Sequence, residues 1–130
     1  MSYIRGTKNV IIKAVADATS LPAIADGIAY FTVPEELNGY KLATVGAHVY
    51  TASDGGTAIN VSIYNLTQTA DMLSTQLTID NTENDSATAD APAVIDTAED
   101  DVATADVIRI DLNQVGANAK GLEIRLGFKP

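Results

Sequence analysis

Apolar and polar residues alternate with a period of two through much of this chain, the pattern of strands that bury one face of a sheet and expose the other. Leu122, Ile124, Leu126 and Phe128 take one face of such a segment, and Glu123, Arg125 and Lys129 take the other. Ile108, Ile110 and Leu112 alternate with Arg109 and Asp111 in the same way, and Ile59, Val61 and Ile63 with Asn60, Ser62 and Tyr64. A longer strand is predicted over Lys41 to Thr51, with Ala43, Val45, Ala47 and Val49 on one face and Leu42, Thr44, His48 and Tyr50 on the other. Gly27 to Val33 predicts another, ended by Pro34, which cannot donate to a ladder. Leu77 to Asp80 and Val94-Ile95 are shorter candidates.

Between these segments lie residues that favour turns. Asp54-Gly55-Gly56, inside Thr51 to Thr57, supplies positions where positive φ is free of steric cost and predicts a hairpin connection. Pro34 to Gly39 predicts a compact turn. Helical readings are weak: Thr19, Ser20 and Pro22 interrupt Ala16 to Ile24, and Asp71 to Ser74 has room for one turn. Seven to nine short strands without a long helix predict an all-β, single-domain protein, an antiparallel β-sandwich or barrel. Residues 1–26 lack clean alternation and are set apart as an N-terminal arm or edge segment ahead of a sandwich at 27–130.

Composition narrows the function classes. The length of 130 residues suits one domain, and the 46% of apolar residues includes many alanines with only 5% aromatics, so the core is built from small aliphatic side chains. A net charge of −9 repels phosphate backbones and anionic bilayers, so neither nucleic acid nor a membrane is expected as a partner. Without cysteine there can be no disulfide, thiolate metal site or thiol nucleophile. The apolar run Val10 to Ile12 is too short for an export signal, and no stretch approaches the ~18 apolar residues of a membrane span.

Candidate chemistry is sparse. His48 is the single histidine, and no Cys, Gly-x-Ser-x-Gly elbow or second imidazole accompanies it, so a structural role is expected. Asp80 to Asp111 holds ten of the seventeen carboxylates, densest at Glu99-Asp100-Asp101, but it lacks the calcium-loop pattern and reads as solvated acidic loops. Paired carboxylates for glycoside hydrolysis cannot be placed from spacing, and the chain has no Trp to stack on a sugar. The Asn-x-Ser/Thr matches at Asn60, Asn65 and Asn84 carry no weight without export. No catalytic residue, cofactor or metal site is expected, and the chain is read as a non-enzyme.

A set of segments resembles a family of small virion structural proteins of tailed bacteriophages: Leu42 to Tyr50, Val61 to Thr67, Asp71 to Asp80, Ala91 to Asp96, Asp106 to Asp111 and Lys120 to Leu126. Together they span Leu37 to Phe128, about seventy per cent of the chain. The resemblance implies a jelly-roll-like sandwich displayed on a phage particle, commonly as a homotrimer, that binds the major capsid protein or another virion protein and either cements the head shell or forms a knob or tail-associated adhesion module. It also implies a protein made in the host cytoplasm and located in the virion. Ala105 stands before Asp106 where such sequences often have Gly, and residues 1–26 match no part of the family. The competing expectation is a tail- or surface-associated carbohydrate-binding module, with Tyr30, Tyr40, Tyr50 and Tyr64 as its platform.

Overall fold

The computed structural model describes residues 6–130. Ten strands follow in order: β1 (Lys8–Ser20), β2 (Ala25–Thr32), β3 (Lys41–Thr51), β4 (Ile59–Asn65), β5 (Ala70–Asp71), β6 (Leu73–Thr75), β7 (Leu77–Ile79), β8 (Val94–Ile95), β9 (Val107–Gln114) and β10 (Lys120–Lys129). Two short 3-10 turns, Glu35–Leu37 and Ser86–Thr88, interrupt the connections.

One of the two main sheets has the order β1-β10-β3; the other has β2-β9-β4-β5, with β7 also paired to β4, and β6 and β8 form a separate two-stranded ribbon. The first strand thus lies beside the last and the second beside the penultimate, the nesting of a jelly-roll-like antiparallel sandwich. The inward side chains of both sheets meet in one core. From β9 and β10 come Ile108, Ile110, Leu112, Leu122, Ile124, Leu126 and Phe128, and from β4 come Ile59, Val61 and Ile63, all fully buried. Their alternation is the one the chain displays as a sequence. The Phe31 and Phe128 rings stack between the sheets with centroids 6.5 Å apart.

Strand pairing corrects two expectations and bears out the weakness of the helical readings. In β3, Leu42 turns inward and is 2% exposed, although simple alternation puts it outside with Thr44. Leu42 pairs with Phe128 and Thr44 with Gly127, so Ala43 is an extra residue in a bulge, and one extra residue exchanges the faces. The Thr51–Thr57 connection is not a hairpin, because β3 and β4 belong to different sheets and the chain crosses between layers there. Neither helical turn forms: Ala16 to Ser20 continues β1, and Asp71 to Ser74 falls in β5 and β6. Pairing with neighbouring strands overrides the weak local preference at both places.

Most of the N-terminal segment is part of the sandwich. Lys8 pairs with Phe128 and the register runs without interruption to Lys13 opposite Glu123. The first five residues of that segment lie outside the described residues. Beyond Lys13 the strand bulges twice, before Val15 and again between Val15 and Ser20. On β2, Ala25 pairs with Leu112 but Ala29 with Ile110, so the strand bulges at Asp26 to Ile28, where Gly27 has φ +75°. Tyr30 lies over Gly27 so closely that a Cβ there would collide with its phenol oxygen.

Candidate interaction surfaces

Sheet edges are where a sandwich can add strands from outside, and the two flanks of this one differ. On one flank, the acidic passage after β7 seals β3. Val49 N–H donates to the Asn84 carbonyl (2.7 Å), the Asn84 side chain donates back to the Val49 carbonyl (2.8 Å), and Ala47 N–H donates to Ser86 Oγ (2.9 Å). Farther along, Leu42 N–H donates to the Asp100 carbonyl and Val102 N–H to the Tyr40 carbonyl. On the same flank of the other sheet, β5 and β7 cover β4.

Side chains pin this seal. Asp85 accepts from Arg125 Nη1 (2.8 Å) and Nη2 (3.0 Å), from His48 Nδ1 (2.9 Å), and from the Ala87 N–H (2.9 Å) at the start of its 3-10 turn. The Arg125 guanidinium, helped by His48 and Ala87 against the opposing effect of burial, holds the Asp85 carboxyl well below its usual range. Arg125 reaches Asp85 across Gly46, where a Cβ would collide with the guanidinium, so only glycine leaves that group its path. At the far end, Asp106 is buried and accepts from Asn65 Nδ2 (3.0 Å), Gln68 Nε2 (2.8 Å) and Ala103 N–H (3.0 Å). Burial raises the Asp106 carboxyl, but these bonds outweigh it and lower it below the ordinary value.

The other flank is open. β1 pairs only with β10 and β2 only with β9, and among the described residues no strand covers their outer edges. The straight parts are Lys8 to Lys13 and Ala29 to Thr32, at the same end of the sandwich; the bulges occupy the end near the β1–β2 turn. Ile11 on β1 is 55% exposed.

The residues singled out from sequence end up dispersed. His48 is half-buried against Asp85 and makes an edge-to-face contact with Tyr50. Glu99-Asp100-Asp101 forms no metal cage: among the described residues no group of three or more ligating side chains converges, Asp100 is buried, and Asp101 forms an isolated bridge with Lys41. The four tyrosines do not form one platform. Tyr40 is buried and Tyr50 lies on the β1-β10-β3 sheet, whereas Tyr30 and Tyr64 share the outer face of the other. Tyr50 and Tyr64 therefore lie on different sheets and do not pack against each other across neighbouring strands.

Pairing also brings together groups that no motif signals. Tyr30 is opposite Arg109, Arg109 opposite Tyr64, and Tyr64 opposite Asp71, one continuous row across four strands. The Arg109 guanidinium lies 4.4 Å from the Tyr64 ring centroid and is held by Asp111 through Nε (2.7 Å) and Nη2 (3.0 Å). Beside this row is an open cleft of about 390 Å³ lined by Ser62, Asp71, Leu73, Ser74, Thr75 and Gln76. Asn113 borders it, donating to Gln76 Oε1 (2.8 Å) and to Ser62 Oγ. The alternation of β4 and β9 places these residues on the outer face; only the register makes them neighbours.

No family model, curated protein or solved structure matches the chain.

Proposed function

We propose that this protein is a non-enzymatic structural component of a tailed-phage virion, a capsid decoration protein that assembles into a homotrimer and binds the head shell. The observation that carries the assembly reading is the asymmetry of the flanks: the β3 and β4 edges are covered, while the straight halves of β1 and β2 are open. An open edge pairs readily with another chain, and a soluble monomer ordinarily covers it or breaks it with charge or a bulge. Around a three-fold axis, β1 of one copy would meet β2 of the next, so each copy's two open edges would be used once. The virion assignment rests on the sequence resemblance, and the absence of catalytic groups expected from the sequence accords with it.

The test is the molar mass in solution together with binding to empty capsids. The trimer reading expects about three times the chain mass of 13.6 kDa and co-sedimentation with the shell. Ile11→Glu, which sets a charge on the straight half of β1, should yield a monomer that keeps the wild-type far-UV spectrum and a cooperative thermal transition. A wild-type monomer, or a trimer unaffected by this change, would overturn the flank as the contact.

A further inference from the structure

We infer that the outer face of the β2-β9-β4-β5 sheet is a binding site for a neutral oligosaccharide. The inference does not rest on the assembly reading: it uses outward side chains of the sheet, whereas assembly uses backbone groups along the β1 and β2 edges, including the straight half of β2 that carries Tyr30.

Two features support a site. The first is an aromatic row. Tyr30 is 57% exposed on the same face as Tyr64 and the guanidinium stacked on it. The Tyr30 ring lies over Gly27, and the Tyr64 ring stacks against the Arg109 guanidinium. Aromatic side chains have few rotatable bonds to immobilise, and their faces suit the C–H side of a sugar ring. The second is the adjoining cleft, whose hydroxyls, amides and carboxylate (Ser62, Ser74, Thr75, Gln76, Asn113 and Asp71) are the groups that bind vicinal hydroxyls in pairs.

Charge and length select among ligands. Asp111 already holds the guanidinium of Arg109, and Asp26 lies 3.6 Å from the same group, so the cation of this row is already paired with carboxylates and has little to offer a phosphate, sulfate or uronate. Asp26 and Asp71 stand at either end of the face in a chain of net charge −9, which repels anionic ligands. Flat aromatic rings beside uncharged donors and acceptors, with an acidic rim, favour a neutral glycan. Three strand spacings separate Tyr30 from Asp71, about 14 Å, which suits a short oligosaccharide better than a single ring.

The test is titration of the full chain, followed by amide chemical shifts, with a panel of neutral probes: gluco-, manno-, galacto-, xylo- and N-acetylglucosamine oligomers of two to five units. The expected result is saturable binding of at least one probe in the millimolar range or tighter, with shifts confined to β4, β9 and the cleft. Tyr30→Ala, an exposed position, should weaken it about threefold to tenfold, while Tyr50→Ala on the opposite sheet leaves it unchanged. Ile11→Glu should retain full binding whatever its effect on assembly, which separates a failure of this inference from a failure of the assembly reading. Absence of saturation across the panel, shifts elsewhere on the protein, or equal affinity in Tyr30→Ala would overturn it.

Discussion

Replacing Asp85 with alanine tests whether the acidic passage is held on β3 by electrostatics. The substitution removes the acceptor of two Arg125 bonds, one His48 bond and the Ala87 N–H bond at the 3-10 turn. The Arg125 and Asp85 side chains are 40% and 29% exposed, so solvent screens the ion pair to about 1 kcal/mol. Loss of the turn's side-chain acceptor adds about 1 kcal/mol. A destabilisation of about 2 kcal/mol follows, roughly 8 °C in Tm for a domain of this size.

The pH dependence of that loss has a definite sign. The folded-state carboxyl of Asp85 lies below its unfolded value, chiefly through Arg125, so its contribution is complete above the unfolded pKa and declines as pH falls toward the folded one. The difference between wild type and variant, measured by urea unfolding, should be constant from about pH 7 to pH 5 and shrink by about half near pH 3. Amide exchange at Val49 and Ala47, whose partners are Asn84 and Ser86, should accelerate in the variant. Gly46→Ala, which obstructs Arg125, should reproduce much of the loss and add little to Asp85→Ala, because both break one network. A difference below about 0.5 kcal/mol, or one of constant size through the acid range, would refute the reasoning.

Two further substitutions test the backbone and the core. Ala105 has φ +71° in the turn between Ala103 and Asp106, a region costly for a side chain, so Ala105→Gly should be neutral to stabilising by about 0.5 kcal/mol after the greater freedom of the unfolded chain is counted; a loss of about 1 kcal/mol would contradict this account of the turn. Phe128 is fully buried and stacked on Phe31, so Phe128→Ala should cost about 3–5 kcal/mol in urea unfolding, and a cost under about 1 kcal/mol would mean that the two sheets are not packed through it.

The all-β class and most of the core are legible in the linear chain. Inward residues of β4, β9 and β10 stand out because a sheet with one buried face imposes an apolar residue at every second position. The lack of cysteine likewise rules out disulfide and thiolate chemistry through composition alone. Whatever depends on register, or on which strands meet, arises only in the folded chain. The Ala43 bulge turns Leu42 inward, a consequence of pairing with Gly127 and Phe128 that no local pattern records. Asp85 becomes the anchor of a loop only because Arg125, forty residues later, passes over Gly46 to reach it. Tyr30, Arg109 and Tyr64 form a row although they come from three strands far apart in the chain, and Tyr50, which has the same local setting in sequence, lies on the opposite sheet. Side-chain alternation is written in single residues and their neighbours, whereas a surface is assembled from distant segments, and only the folded pairing brings those segments together.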